Sequence, residues 1–141
     1  MHNLDFRKLE EYFVIGLRLS LALIFFWFGA LKVIGYNPVY DIVYATFPFL
    51  AGGAGNIALG FVEAVIGVGL ALNIFPVAIH IALILHLSGT MLTFLVAPEL
   101  MFEPIFPILT LSGEFVAKNA VLAMAGLVVV AREVVKRGRV F

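Results

Sequence analysis

Cysteine is absent from this 141-residue chain, which excludes disulfides, thiolate nucleophiles, Cys-held zinc or iron–sulfur clusters and any CxxC relay within the polypeptide. Any thiol chemistry belongs to a partner. Charge is scarce too: Asp, Glu, Lys and Arg make up 13 % of the residues, about half the share usual in a soluble domain. Nine Lys/Arg balance nine Asp/Glu. With no basic surplus to neutralise phosphates, nucleic acid is not an expected partner. Neither a Gly-x-Gly-x-x-Gly loop nor a phosphate-binding lysine loop occurs, and there is no low-complexity tail. What fills the chain instead is hydrophobic, 63 % of it with glycine left out of the count. This is the composition of a membrane protein.

Crossing a hydrocarbon core of roughly 30 Å takes about 20 apolar residues in a helix. Segments 13–34, 54–74, 76–97 and 114–131 meet that length. Arg18 and Lys32 sit near the two ends of the first segment, where long side chains can snorkel. The second carries one carboxylate, Glu63. Pro76 suits the first turn of the third, and Ser112 is the expected N-cap of the fourth, with Glu114 at the positive end of its dipole. A cleavable signal peptide fits the first segment poorly, because its apolar run is too long and no small-x-small site precedes Lys32. The link Asn73-Ile74-Phe75-Pro76 allows only an antiparallel hairpin. The expected fold is therefore one all-α transmembrane domain over residues 1–141, a four-helix up-down-up-down bundle. Arg7 and Lys8 precede the first span, and Arg132, Lys136, Arg137 and Arg139 follow the fourth, whereas linkers 35–53 and 98–113 have no Lys or Arg. Both termini are thus expected to be cytoplasmic, with the linkers lying on the outer interface as short amphipathic pieces.

Helical spacing sorts the polar residues onto faces. Arg18, Ala22, Phe25, Gly29 and Lys32 recur at steps of four and three, as do Asn56, Gly60, Glu63, Gly67 and Leu70. On the third span Ala82, His86, Gly89 and Thr93 share a face, with Thr90 beside it; His80 lies about 120° from His86. On the fourth, Glu114 and Lys118 form an i,i+4 pair next to an edge containing Asn119, Ala123 and Gly126. Counting inward from each interface puts Glu63 and His86 near the midplane. If the polar faces turn inward, they enclose a cluster of Lys32, Glu63, His86, Glu114 and Lys118, the expected ligand-binding or proton-handling set. Arg18, Trp27, Thr90, Thr93 and Asn119 are secondary candidates, and the run Phe25-Phe26-Trp27-Phe28 offers an aromatic platform. Most have a structural alternative: an interfacial anchor for Lys32, an anchor paired with Glu10, Glu11 or lipid phosphate for Arg18, an inter-helix hydrogen bond for Glu63, packing for His86, a lipid-facing or packing role for the aromatics, a helix-start ion pair for Glu114 and Lys118. No metal site is expected. Nor is intrinsic haem, since His80 and His86 do not face one ligand and no second span bears a histidine.

Taken together, Gly16-Leu17-Arg18-Leu19-Ser20, Phe26-Trp27-Phe28-Gly29-Ala30-Leu31-Lys32, Gly60-Phe61-Val62-Glu63 with Ile66-Gly67, and Leu111-Ser112-Gly113-Glu114 followed by Lys118-Asn119 and Ala125-Gly126 resemble the DoxX-like membrane proteins, nearest their YkgB-type branch. The resemblance covers spans one, two and four. It implies a four-helix inner-membrane bundle similar to the vitamin K epoxide reductase fold, in a family linked to quinone-coupled sulfur oxidation, complexes with oxidant-defence enzymes and resistance to reactive chlorine species. The family's recurrent positions fall here on Arg18, Gly29, Lys32, Gly60, Glu63 and Lys118. The chain departs from the branch at Lys118-Asn119, where the pattern reads Lys-Asp, and in its shorter outer loops.

The expected function is that of a bacterial-type inner-membrane subunit in an oxidant-handling or quinone-linked redox system. It would bind a quinone-like molecule or a redox partner without being catalytic alone. The ligand would enter laterally, through space left between helices by Gly60, Gly67 and Gly89. No intrinsic cofactor is expected beyond a quinone, and the partners are membrane lipid with a second copy or a redox subunit. The alternatives are a small proton-coupled transporter gated by Glu63 and a non-catalytic scaffold.

Overall fold

The computed structural model describes residues 5–138; Arg139, counted above in the charge asymmetry, lies outside them. The chain is helical, in the order α1 (Phe6–Val33), α2 (Tyr40–Thr46), α3 (Pro48–Ala51), α4 (Gly53–Leu72), α5 (Pro76–Met91), α6 (Thr93–Val96), α7 (Pro98–Met101) and α8 (Leu111–Arg137). Four stretches are long and apolar enough to cross a membrane: α1, α4, α5 continued by α6, and α8. α1 and α8 extend well beyond segments 13–34 and 114–131, because good helix formers continue the backbone ladder after the apolar run has stopped.

The first and second spans pack along the two stripes named above. Ala22, Phe25, Gly29 and Lys32 are buried on α1, and Asn56, Gly60, Glu63, Gly67 and Leu70 on α4. Glycine decides how closely these helices approach. A Cβ at Gly60 would stand 2.6 Å from the Lys32 Cβ, and one at Gly67 would stand 2.6 Å from the Phe26 backbone nitrogen. Gly60 and Gly67 therefore leave no slot for a ligand; α1 itself fills the space. At the far end Arg18 Nη1 donates to the carbonyls of Leu70 and Ala71, at 2.5 and 3.1 Å. These are terminal carbonyls of α4 with no partner inside the helix. Partners later in α1 meet residues earlier in α4, so the pair is antiparallel.

Pro76 opens α5, following Asn73 and Phe75 in left-handed conformations that turn the chain. The third span breaks at Leu92. Thr90 Oγ1 donates to the carbonyls of His86 and Leu87, and Thr93 Oγ1 to that of Thr90, hydroxyl bonds that compete with the helix ladder. The N-cap of α8 is Thr110, not Ser112. The Thr110 backbone is extended and its hydroxyl accepts from the Gly113 N–H at 2.9 Å, placing Ser112 inside the first turn.

Leu21, Phe25, Ile66, Leu70, Leu83 and Leu87 form the main core. A smaller one, around Ile42, Met101 and Val116, ties α2 and α7 to α8. The linkers therefore do more than lie on an interface. Ile42 and Val43 are buried, which makes α2 a packed part of the molecule. Leu23, Trp27, Phe61, Leu85 and Val121 face outward, as a lipid-facing surface requires.

Candidate functional site

The α1–α4 seam places a cation and an acid opposite each other. Lys32 Nζ lies 2.7 and 3.0 Å from the two carboxylate oxygens of Glu63, with both residues almost wholly buried. From the third span His86 Nε2 reaches Glu63 Oε1 at 3.0 Å. The depth count matched these residues, and the packing brings them into contact. An ammonium and a carboxylate out of water are tolerable only with such partners at hydrogen-bond distance. Phe28 contributes further, its ring centroid 5.6 Å from Lys32 Nζ. Asn56 Nδ2 donates to the Lys32 carbonyl at 3.1 Å and holds the end of α1. Phe25 meets the His86 ring edge-on, with centroids 5.4 Å apart.

Lys32, Glu63 and His86 form part of one wall of a cavity of about 500 Å³. Phe25, Phe28 and Leu59 continue that wall, Gly89 and Thr90 lie on the α5 side, and Lys118, Asn119 and Leu122 on the α8 side. Val39, Ile42, Val43, Thr46 and Phe47 roof it. The roof is fastened where the hydroxyls of Thr46 and Thr93 meet at 2.7 Å. The expected inner face of the third span looks into this void, so His86, Gly89 and Thr90 are only half-buried. The packed face of α5 is instead His80, Leu83 and Leu87.

Of the expected set, Lys32, Glu63 and His86 come together. Lys118 reaches the cavity wall, but its ammonium, 3.5 Å from Glu114, belongs to a largely exposed pair. Glu114 does not line the cavity. The five-membered cluster therefore contracts to three, because Glu114 and Lys118 pair with each other, largely exposed, near the start of α8. Asn119 is buried on the wall, with an amide able to donate and accept. The hydroxyls of Thr90 and Thr93 are engaged with backbone carbonyls and with Thr46. Arg18 lies at the other end of α1 as the cap of α4, bonded neither to Glu10 nor to Glu11. Only Phe25 and Phe28 of the aromatic run line the cavity; Trp27 is 62 % exposed on the opposite face.

Two buried polar atoms among the described residues lack a partner, Asn56 Oδ1 and His80 Nε2. His80 and His86 do not converge: Nδ1 of His80 lies 2.6 Å from the Pro76 carbonyl, away from Glu63. Among the described residues no three His, Asp or Glu side chains group as a metal site would need. Sequence reasoning missed the roof. Its signal was present, since Val39, Ile42, Val43 and Thr46 fall at steps of three and four within an otherwise polar and aromatic linker. No family model, curated protein or solved structure matches the chain, so its function is read from the residues of this site.

Proposed function

We propose that this chain is a DoxX-like inner-membrane subunit of a quinone-linked or oxidant-handling redox system, and that its cavity holds the head group of a quinone-like molecule. The accompanying topology is up-down-up-down, with both termini cytoplasmic, in a bacterial-type plasma membrane. One observation carries the ligand class: a mainly apolar cavity of about 500 Å³ with Lys32, Glu63 and His86 on its wall. Small-molecule sites typically measure roughly 300–1,000 Å³ and combine an apolar lining with a few convergent polar groups.

A quinone ring is flat and apolar, with carbonyl oxygens pointing in opposite directions. Phe25 and Phe28 offer the ring a surface. The His86–Lys32 side can donate to one carbonyl, and Asn119, across the cavity, to the other. Glu63 anchors both donors on the first side and is the carboxylate placed to exchange protons there. Electrons come from a partner subunit; this chain binds and orients. Gly89 is the remaining small residue on the wall, since a Cβ there would meet only the Phe47 ring, at 3.5 Å.

Calorimetric titration of the detergent-solubilised protein with a short-chain quinone should saturate. His86→Ala should weaken binding about tenfold, the worth of one charge-assisted hydrogen bond. Gly89→Leu should lower affinity by filling the cavity while thermal unfolding stays close to wild type. Absence of saturation in the wild type, or unaltered affinity in both variants, removes the quinone. pH-dependent flux in vesicles would then assign Glu63 to proton-coupled permeation, and its absence would leave the scaffold.

A further inference from the structure

A second cavity, of about 350 Å³, lies at the other end of the bundle, between the start of α1, the α4–α5 turn and the end of α8. Its charges are of both signs: Arg18, Arg132 and Lys136 line it together with Glu11 and Glu133. Around them Arg132 pairs with Glu10 and Arg137 with Glu133, while Arg137 Nη2 also donates to the Asn73 carbonyl at 3.2 Å. Arg18 is fixed in place because its Nη1 caps α4, which leaves the Nε and Nη2 edge of the guanidinium outside that bond. Val14, Ile15, Val129 and Val135 supply an apolar wall running along α1 and α8.

The position matters as much as the charges. Arg132 directly follows the apolar run of α8, and Asn73 closes α4, so the cavity sits where a spanning helix emerges from the hydrocarbon. Lipid head groups occupy that depth. A ligand matching this site carries an anion for the arginine fork and Lys136, a hydrogen-donating cation for Glu11, and an acyl chain for the valine wall. Free phosphate leaves Glu11 and the apolar wall without a counterpart. A quaternary ammonium has no N–H to donate to a carboxylate. We propose that this cavity binds a zwitterionic phospholipid whose head group joins a phosphate to a primary ammonium, as phosphoethanolamine does. The assignment is independent of the quinone site, with which this cavity shares no residue.

The test is thermal unfolding of the full chain in neutral detergent, titrated with short-chain phosphatidylethanolamine, with phosphatidylcholine and phosphatidylglycerol of the same chains, and with inorganic phosphate. Phosphatidylethanolamine should raise Tm saturably, with half-saturation at about tenfold lower concentration than phosphatidylcholine. Glu11→Gln and Lys136→Gln, both exposed substitutions, should leave the lipid-free Tm unchanged and each raise the half-saturating concentration about three- to tenfold. His86→Ala should respond to the lipid as wild type does. Equal responses to the ethanolamine and choline lipids, or undiminished responses in both charge variants, overturn the proposal. A response to phosphatidylglycerol as strong as to phosphatidylethanolamine, or to inorganic phosphate alone, also overturns it and leaves a plain anion site.

Discussion

Lys32 is 1 % exposed in the middle of an apolar seam, a position where an ammonium needs a counter-charge at bonding distance. Glu63 supplies it, its carboxylate 2.7 Å from the Lys32 ammonium. Removing either partner strands its mate, so Lys32→Met and Glu63→Gln should each destabilise the protein by about 3–5 kcal/mol. The double variant should lose less than the sum, measured by denaturant unfolding in detergent. Strict additivity would show that the two side chains do not interact. The pairing was legible in part, because both residues stand on the inward stripes of neighbouring spans. Trp27 and Glu114 were not resolved the same way. Four consecutive aromatics spread around a helix, so only two of the four can look inward, and choosing those two requires knowing where the neighbour packs. Glu114 sits in the first turn of α8, where it is exposed and pairs with Lys118 instead of lining the cavity.

The element that sets the geometry is the α1–α4 pair, and its glycines are not equivalent to glycines elsewhere. A Cβ at Gly60 would collide with Lys32 and the Gly29 backbone, at 2.6 and 2.7 Å, whereas one at Gly16 would meet nothing within 4 Å. Gly60→Ala should accordingly cost about 1–3 kcal/mol through overpacking. Gly16→Ala should be neutral or stabilising by up to about 1 kcal/mol through helix propensity. Thermal unfolding of the two variants side by side checks the contrast, and equal effects would place the seam elsewhere. The same distinction separates Gly67 from Gly89. Both are small residues on the inner face of a span, yet one is closed by a neighbouring backbone and the other opens on the cavity.

At the scale of the whole molecule, charge asymmetry carries the orientation. Cationic residues cluster before the first span and after the fourth, and the linkers have none. Reporter fusions within residues 36–50 and after Phe141 should therefore report opposite sides of the membrane. Agreement between them would rule out four spans crossing in alternation. In the proposed topology the two cavities divide the molecule: the quinone-sized one lies beneath the outer linkers, and the mixed-charge one lies at the end bearing the termini.

What the residues determined without a structure was whatever depends on local periodicity and solvent preference. The four apolar runs, the start of α5 at Pro76, and the inward stripes on α1 and α4 follow from spacing and hydropathy alone. Two outcomes waited on tertiary packing. The first is the cavity, which exists because α2, a seven-residue piece, folds back over α5 and α6 rather than spreading on an interface. No local rule says where a short amphipathic helix will bury its face. The second is the destination of the arginine at the other end of α1. Arg18 had acids within reach in sequence, but the α1–α4 register places two last-turn carbonyls of α4 beside its guanidinium, and a backbone acceptor presented by another helix leaves no trace in side-chain spacing.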